Sequence, residues 1–305
     1  MVRSYLYTRP WAPILILVVL GFLWGGATNV ARFVALSGVP PIAYAFWTVV
    51  IGATILTAIN LVRRKFIPCS FRHLRYYFFA GLLSSALPTA NLFLCLNYIS
   101  VGAMSLVLIT IPLITYSLSL GIGIERLNAG RAVGILLGFF GVLIVILPGN
   151  GLSPDDSVGW FLMAFLTPVG YAAGQVFTAR YHPDDVDSLI GANALMLVAT
   201  TLLLIVTIFS NQWYSLWQDP GLVDFLITLH GLVAALAYAC FFLLVGIAGP
   251  VYFSQSSYLI TLFGLLIGHK WFGEEYSPLL LAAVALTAIG VWLVNRGQQH
   301  NASQV

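Results

Sequence analysis

The stretch GAMSLVLITIPLITYSLSLGIGIERLNAGRAVGILLGFFGVLIV, Gly102 to Val145, overlays VYFSQSSYLITLFGLLIGHKWFGEEYSPLLLAAVALTAIGVWLV, Val251 to Val294, without a gap at a constant offset of 149. Ser105 meets Ser254, Glu125 meets Glu274, Gly141 meets Gly290 and Val145 meets Val294. Each glutamate sits in a short polar break between two apolar runs. If each copy belongs to a half of five spans, the second half enters the membrane from the opposite face. Inverted repeats of that kind enclose a site near the bilayer midplane.

Composition agrees with a membrane chain. Of 305 residues 60% are hydrophobic and 8% charged, with a mean hydropathy of +0.96, against roughly 25% charged in soluble domains. With about 20 apolar residues per span, the pattern predicts helices at 12–36, 41–62, 74–98, 102–123, 129–148, 157–180, 187–209, 222–246, 250–270 and 277–295. The fold expected is all-α and integral to the membrane, ten transmembrane helices as a five-plus-five inverted repeat, with halves at 1–150 and 151–305. Arg3 and Arg9 precede an apolar run too long for a signal-peptide core, so the first segment reads as a span.

Lysines and arginines accumulate in cytoplasmic loops. With the N-terminus inside, every one is cytoplasmic except Lys270 and Arg32. Asp155, Asp156, Asp219, Asp224, Glu274 and Glu275 fall outside. Both termini are therefore expected in the cytoplasm, with the chain multi-pass in the inner (plasma) membrane. The net charge of +3 comes from loop arginines and forms no stripe for nucleic acid. Cys69, Cys95 and Cys240 are scattered, so neither a disulfide nor a metal site is implied.

Further residues carry a resemblance: Trp24-Gly25 in the first span, Tyr98-x-Ser-x-Gly-Ala103 before the fourth, then Pro112, Glu125 and Gly141, matched later by Ala237-Tyr238, Gly249, Glu274 and Gly290. Together these resemble the drug/metabolite transporter superfamily of the EamA type, across essentially the whole chain. Two positions depart from its pattern. Trp47 stands where many members have an arginine, and Thr261 replaces the proline expected opposite Pro112. The resemblance implies spans 1–4 and 6–9 around a central cavity, with the fifth and tenth outside as braces. It also implies export or facilitated passage of small metabolites such as amino acids. Span 129–148 carries Gly134-x3-Gly138 and Gly141, a small-residue face for helix packing. Packing within the chain favours a monomer over a dimer.

Polar groups in a span need a partner or a wet cavity. Asn29, Asn91, Gln175, Asn193, His230, Gln255, Ser256 and Ser257 therefore either bond neighbouring helices or contact a solute. Trp24, Tyr44, Trp47, Tyr98, Tyr171, Tyr238 and Tyr258 are candidates for an aromatic cavity wall or for packing. Pro88, Pro112 and Pro168 fall inside spans, where each removes a backbone bond and bends its helix.

No zinc-protease motif, nucleophile elbow or in-span carboxylate pair appears, which argues against an intramembrane enzyme. No Walker loop or other cofactor motif is present. No Asp, Glu or Lys lies mid-span, so a permanent cation would lack a counter-ion and a nucleotide sugar would lack cations for its phosphates. The expected partner is a neutral or zwitterionic small solute, with cationic drugs as the alternative.

Overall fold

The computed structural model describes residues 12–130, 157–218 and 220–273, with short runs between 132 and 140 and between 281 and 293. In hydrocarbon a spanning segment must satisfy its own backbone groups, so apolar runs of this length become helices. They are α1 Ala12–Leu36, α2 Pro41–Val62, α3 Phe71–Cys95, α4 Val101–Gly121, α5 Val158–Tyr181, α6 Ser188–Phe209, α7 Leu222–Ser254 and α8 Ser256–Phe272. Among the described residues, α1 to α7 are long and apolar enough to cross a membrane. Most of the expected spans 129–148 and 277–295, including Gly138 and Gly141 of the glycine face, lies outside the described residues.

The expected spans 222–246 and 250–270 meet within α7. Gly249 has φ +83 there and Pro250 follows it. The rings of Phe241 and Phe253 lie 4.8 Å apart, whereas twelve residues of straight helix would separate them by about 18 Å. The chain therefore reverses at Gly249, and Pro250–Ser254 runs on into α8. At the same offset in the first half, Ser100 makes the reversal between α3 and α4, its Oγ accepting from the Ala103 amide at 3.1 Å. A left-handed backbone suits glycine, and a capping hydroxyl does the equivalent work for serine.

Each in-span proline coincides with an irregularity. Pro88 follows a π-helical run, Leu82–Ala86, in α3. Pro112 follows a break at residues 109–110 in α4, and Pro168 follows one at Phe165 in α5. Lacking an N–H, each leaves the carbonyl four residues back without its helical donor. At Pro88 that carbonyl belongs to Ser84, and it accepts from Tyr238 Oη at 2.7 Å. One half's missing donor is supplied by the other.

The halves interlock. α1 packs along α8 and α7, α2 along α6 and α7, α3 along α5 and α6, and α4 along α5 and α8. Glycines set the closest crossings. A Cβ at Gly25 would sit 2.8 Å from the Ile260 carbonyl oxygen, and one at Gly174 would sit 2.2 Å from Ser84 Oγ. Without side chains at these points the backbones approach closely and gain dispersion contact, which drives helix association where no hydrophobic effect operates. One apolar core runs from Leu17 through Tyr44, Met104 and Leu195 to Leu265.

The ends are tied by charge and caps. Asp187 caps α6, accepting from the Leu189 and Ile190 amides at 3.0 Å, and pairs with Arg63 at the end of α2 at 2.8 Å. Burial raises the Asp187 carboxyl's pKa, but Arg63 and the two amides more than offset this, and the net shift is downward. At the opposite end of α2, Trp47 Nε1 donates to the Tyr214 carbonyl at 2.8 Å. Arg32, near the end of α1, reaches across to donate to the carbonyls of Leu96 and Ile99, where α3 finishes. A guanidinium on a long stem thus answers carbonyls that a helix end cannot satisfy itself.

Candidate functional site

Where the two halves cross they leave a cavity of about 100 Å³. Its walls come from α1 to α5, α7 and α8, and its lining is largely apolar with a few convergent polar groups, as in small-molecule sites. One side is an aromatic cluster: Trp24 meets Tyr238 edge-on at 6.2 Å and Phe253 at 6.0 Å, and Phe241 closes against Phe253. The reversal at Gly249 brings Phe253 back to this place, and α1 carries Trp24 to it.

The lining also carries hydroxyls and the Gln175 amide. Thr28, Thr48, Ser254 and Ser257 line the cavity or its wall, each donating its proton to a carbonyl three or four residues earlier in the chain. That keeps them inexpensive in hydrocarbon and leaves oxygen lone pairs for a solute. Gln175 Oε1 accepts from Thr115 Oγ1 at 3.2 Å, and its Nε2 has no hydrogen-bond partner among the described residues. Tyr171 Oη lies 3.3 Å from Thr89 Oγ1. Ser84 Oγ, also in the wall, is buried without a partner among the described residues.

Of the residues expected from sequence, the structure brings Trp24, Tyr171, Gln175, His230, Tyr238, Ser256 and Ser257 to the cavity. Tyr44 stands behind it, sharing a 2.5 Å hydrogen bond with His230 Nδ1 and stacking on Phe93 at 4.3 Å. The others are held elsewhere. Asn29 donates to the Gly25 and Gly264 carbonyls, pinning α1 to α8. Asn91 donates to Thr167 Oγ1 and the Met163 carbonyl on α5. Trp47 bonds Tyr214, and Tyr98 stacks on Trp160 at 4.1 Å. Gln255 donates back to Val251 in its own chain segment, and the Tyr258 hydroxyl is buried away from the cavity lining. Asn193 accepts from Thr57 across the α2–α6 contact.

Sequence reasoning passed over Thr28 and Thr48, because a threonine satisfied by its own helix gives no signal of cost, and it passed over Ser84 as well. The pair Ser84-Ser85 four and three residues before Pro88 is the one usable cue, since that is where the backbone must change.

No Asp, Glu, Lys or Arg lines the cavity among the described residues. Nor do three metal-ligating side chains gather anywhere among them. His230 is the histidine of the wall, with Nδ1 engaged by Tyr44.

The segment that supplies Trp24, Thr28, Ser84, Thr89 and Leu108, residues 11–147, matches the EamA-like transporter family. In this segment the chain is of the EamA type. It is 27% identical over 290 residues to the uncharacterized transporter YvbV of Bacillus subtilis (strain 168), covering 92% of this chain and 90% of that one. It is 24% identical to the WAT1-related protein At3g02690, chloroplastic, of Arabidopsis thaliana, over 64% of this chain and 48% of the plant protein. A solved structure with 20% identity superposes with a TM-score of 0.68, covering 93% of this chain and 97% of its own, and shares the fold. The EamA-type assignment and the apolar helices make this a multi-pass membrane protein.

The bond from Tyr238 to Ser84 can be isolated in this EamA-type chain. Tyr238→Phe should destabilise the detergent-solubilised protein by about 1–3 kcal/mol, the cost of a buried carbonyl left unpaired. In a Pro88→Ala background the restored amide supplies the helical donor, and the same change should cost under about 1 kcal/mol. Equal losses in both backgrounds, read by thermal melting, would remove the proline-repair account.

Proposed function

We propose that the chain is a secondary transporter carrying small neutral or zwitterionic metabolites, amino acids foremost, by alternating access through this cavity. The observation that carries the reading is a cavity walled by both interlocked halves whose lining, among the described residues, holds hydroxyls, an amide and aromatic faces but no Asp, Glu, Lys or Arg. Hydroxyls and the Gln175 amide can hold an ammonium and a carboxylate, and the aromatic side can cover an apolar side chain or meet the ammonium by cation–π contact. The transporter name of the Bacillus subtilis relative agrees with transport.

The inverted five-plus-five arrangement is supported by reciprocal packing. If α1 corresponds to α5, α2 to α6, α3 to α7 and α4 to α8, then α1 on α8 has its mirror in α5 on α4, and α2 on α7 has its mirror in α6 on α3. Rocking of such halves about a shared site exposes it alternately to each side. The positive-inside asymmetry supports cytoplasmic termini and an inner or plasma membrane. With no carboxylate in the wall to carry protons, the solute's own gradient drives transport.

The test is counterflow in proteoliposomes with neutral amino acids, a quaternary ammonium compound and a nucleotide sugar, with and without a pH gradient. Neutral amino acids should exchange, and exchange should persist in His230→Gln. Exclusive transport of the quaternary ammonium would favour the aromatic cluster as a cation site and replace this reading. Strict dependence on the pH gradient would overturn the uncoupled mechanism.

A further inference from the structure

A second concavity, about 740 Å³, opens between the beginning of α3 and the end of α5. Its rim carries Arg72, Arg75 and Arg180, with Asp184 the one carboxylate among its lining residues. Among the described residues the ion pairs are Arg63 with Asp187 and His73 with Asp185. The three rim arginines therefore have no carboxylate within ion-pairing distance, and all three are exposed. Below them Phe79 and Phe177 form an apolar floor, and the Arg180 guanidinium lies 5.6 Å above the Tyr181 ring.

The cleft is separate from the solute cavity. Gln175 faces that cavity, and Phe177, two residues on, points about 200° away around the helix. The crossing at Gly174 and Ser84 stands between the two spaces. From Arg72 to Phe79 is about 10 Å along the helix, so guanidiniums at the membrane surface stand over an apolar wall that reaches acyl-chain depth. A free phosphate would use only the rim, whereas a phospholipid uses both levels. Arginine forks suit phosphate oxygens, and basic pockets at helix ends attract anionic headgroups.

We propose that this cleft binds an anionic phospholipid, its phosphate between Arg75 and Arg180 and an acyl chain along Phe79 and Phe177. The lipid bridges α3 of one half to α5 of the other. The site depends on these helices crossing a bilayer and is independent of which solute is carried. Purified protein in an uncharged detergent should melt about 5 °C higher with phosphatidylglycerol than with phosphatidylcholine. Inorganic phosphate at the same concentration should give no shift, and native mass spectrometry should retain phosphatidylglycerol on the protein. In Arg75→Gln/Arg180→Gln, two exposed positions, the melting point in phosphatidylcholine should hold while both the shift and the retained lipid disappear. Equal stabilisation by the two lipids, a shift that survives the double substitution, or one reproduced by inorganic phosphate would each overturn the lipid site. Retention of phosphatidylglycerol in the mass spectrum of the double variant would do so whatever that variant's melting behaviour.

Discussion

Gly174→Leu is expected to leave almost no folded protein, with the monodisperse yield after detergent extraction falling by at least about tenfold. A Cβ at Gly174 would lie 2.2 Å from Ser84 Oγ, 2.7 Å from the Ser84 nitrogen and 2.8 Å from its Cα. The hydroxyl can turn aside, but the backbone atoms cannot. Ordinary carbon contacts need about 3.5–4 Å, so α3 and α5 would have to separate by about 1 Å for the first methyl alone. Overpacking of a fitted core costs about 1–3 kcal/mol, and Gly174→Ala should fall in that range. The further branched carbons of leucine have no space to enter. Gly121→Ala is the control, because nothing lies within 4 Å of a Cβ there, and it should stay within about 0.5 kcal/mol of the parent. A well-folded Gly174→Leu protein with an unchanged melting point would show that α3 and α5 do not cross at this place.

Gln175→Leu should have the largest effect on transport, lowering the initial counterflow rate about tenfold, or ~1.4 kcal/mol, with the protein still folded. Gln175 is buried, lines the cavity and is oriented by Thr115. Its Nε2 donors are what a solute carboxylate or carbonyl would meet, and leucine keeps the bulk without them. The Thr115 hydroxyl, once released, can turn to the Ile111 carbonyl four residues back, so the loss of stability should be small. Thr115→Val keeps the amide but frees its orientation, and transport should fall less. A folded Gln175→Leu protein exchanging at the parent rate would assign Gln175 to helix packing.

The described spans were legible because hydropathy over about 20 residues follows directly from the thickness of hydrocarbon. The expected boundary between spans 222–246 and 250–270 fell at the reversal, and Pro88 marked the freed carbonyl that Tyr238 answers. The site was only half legible. Asn29 and Asn91 read as solute candidates, yet each faces a helix far away in sequence, α8 for one and α5 for the other. Periodicity along one helix says which residues share a face, not which helix that face meets. The cavity's hydroxyls were hidden for the opposite reason, since Thr28 and Thr48 satisfy themselves within their own helices and look like ordinary span residues.

The bond from Asn29 to the Gly264 carbonyl also has a temporal meaning. Its partners lie 235 residues apart, and at about 5–20 residues per second a ribosome needs roughly 10–50 s to make the intervening chain. Throughout that interval α1 is already in the membrane with a carboxamide and the glycine-lined groove at Gly21 and Gly25 uncovered. The helix made first is completed by the one made last among those described. Assembly is thus a late event triggered by the arrival of α8, and a nascent chain halted before Gly264 presents an unfinished polar surface to lipid that membrane quality control can recognise.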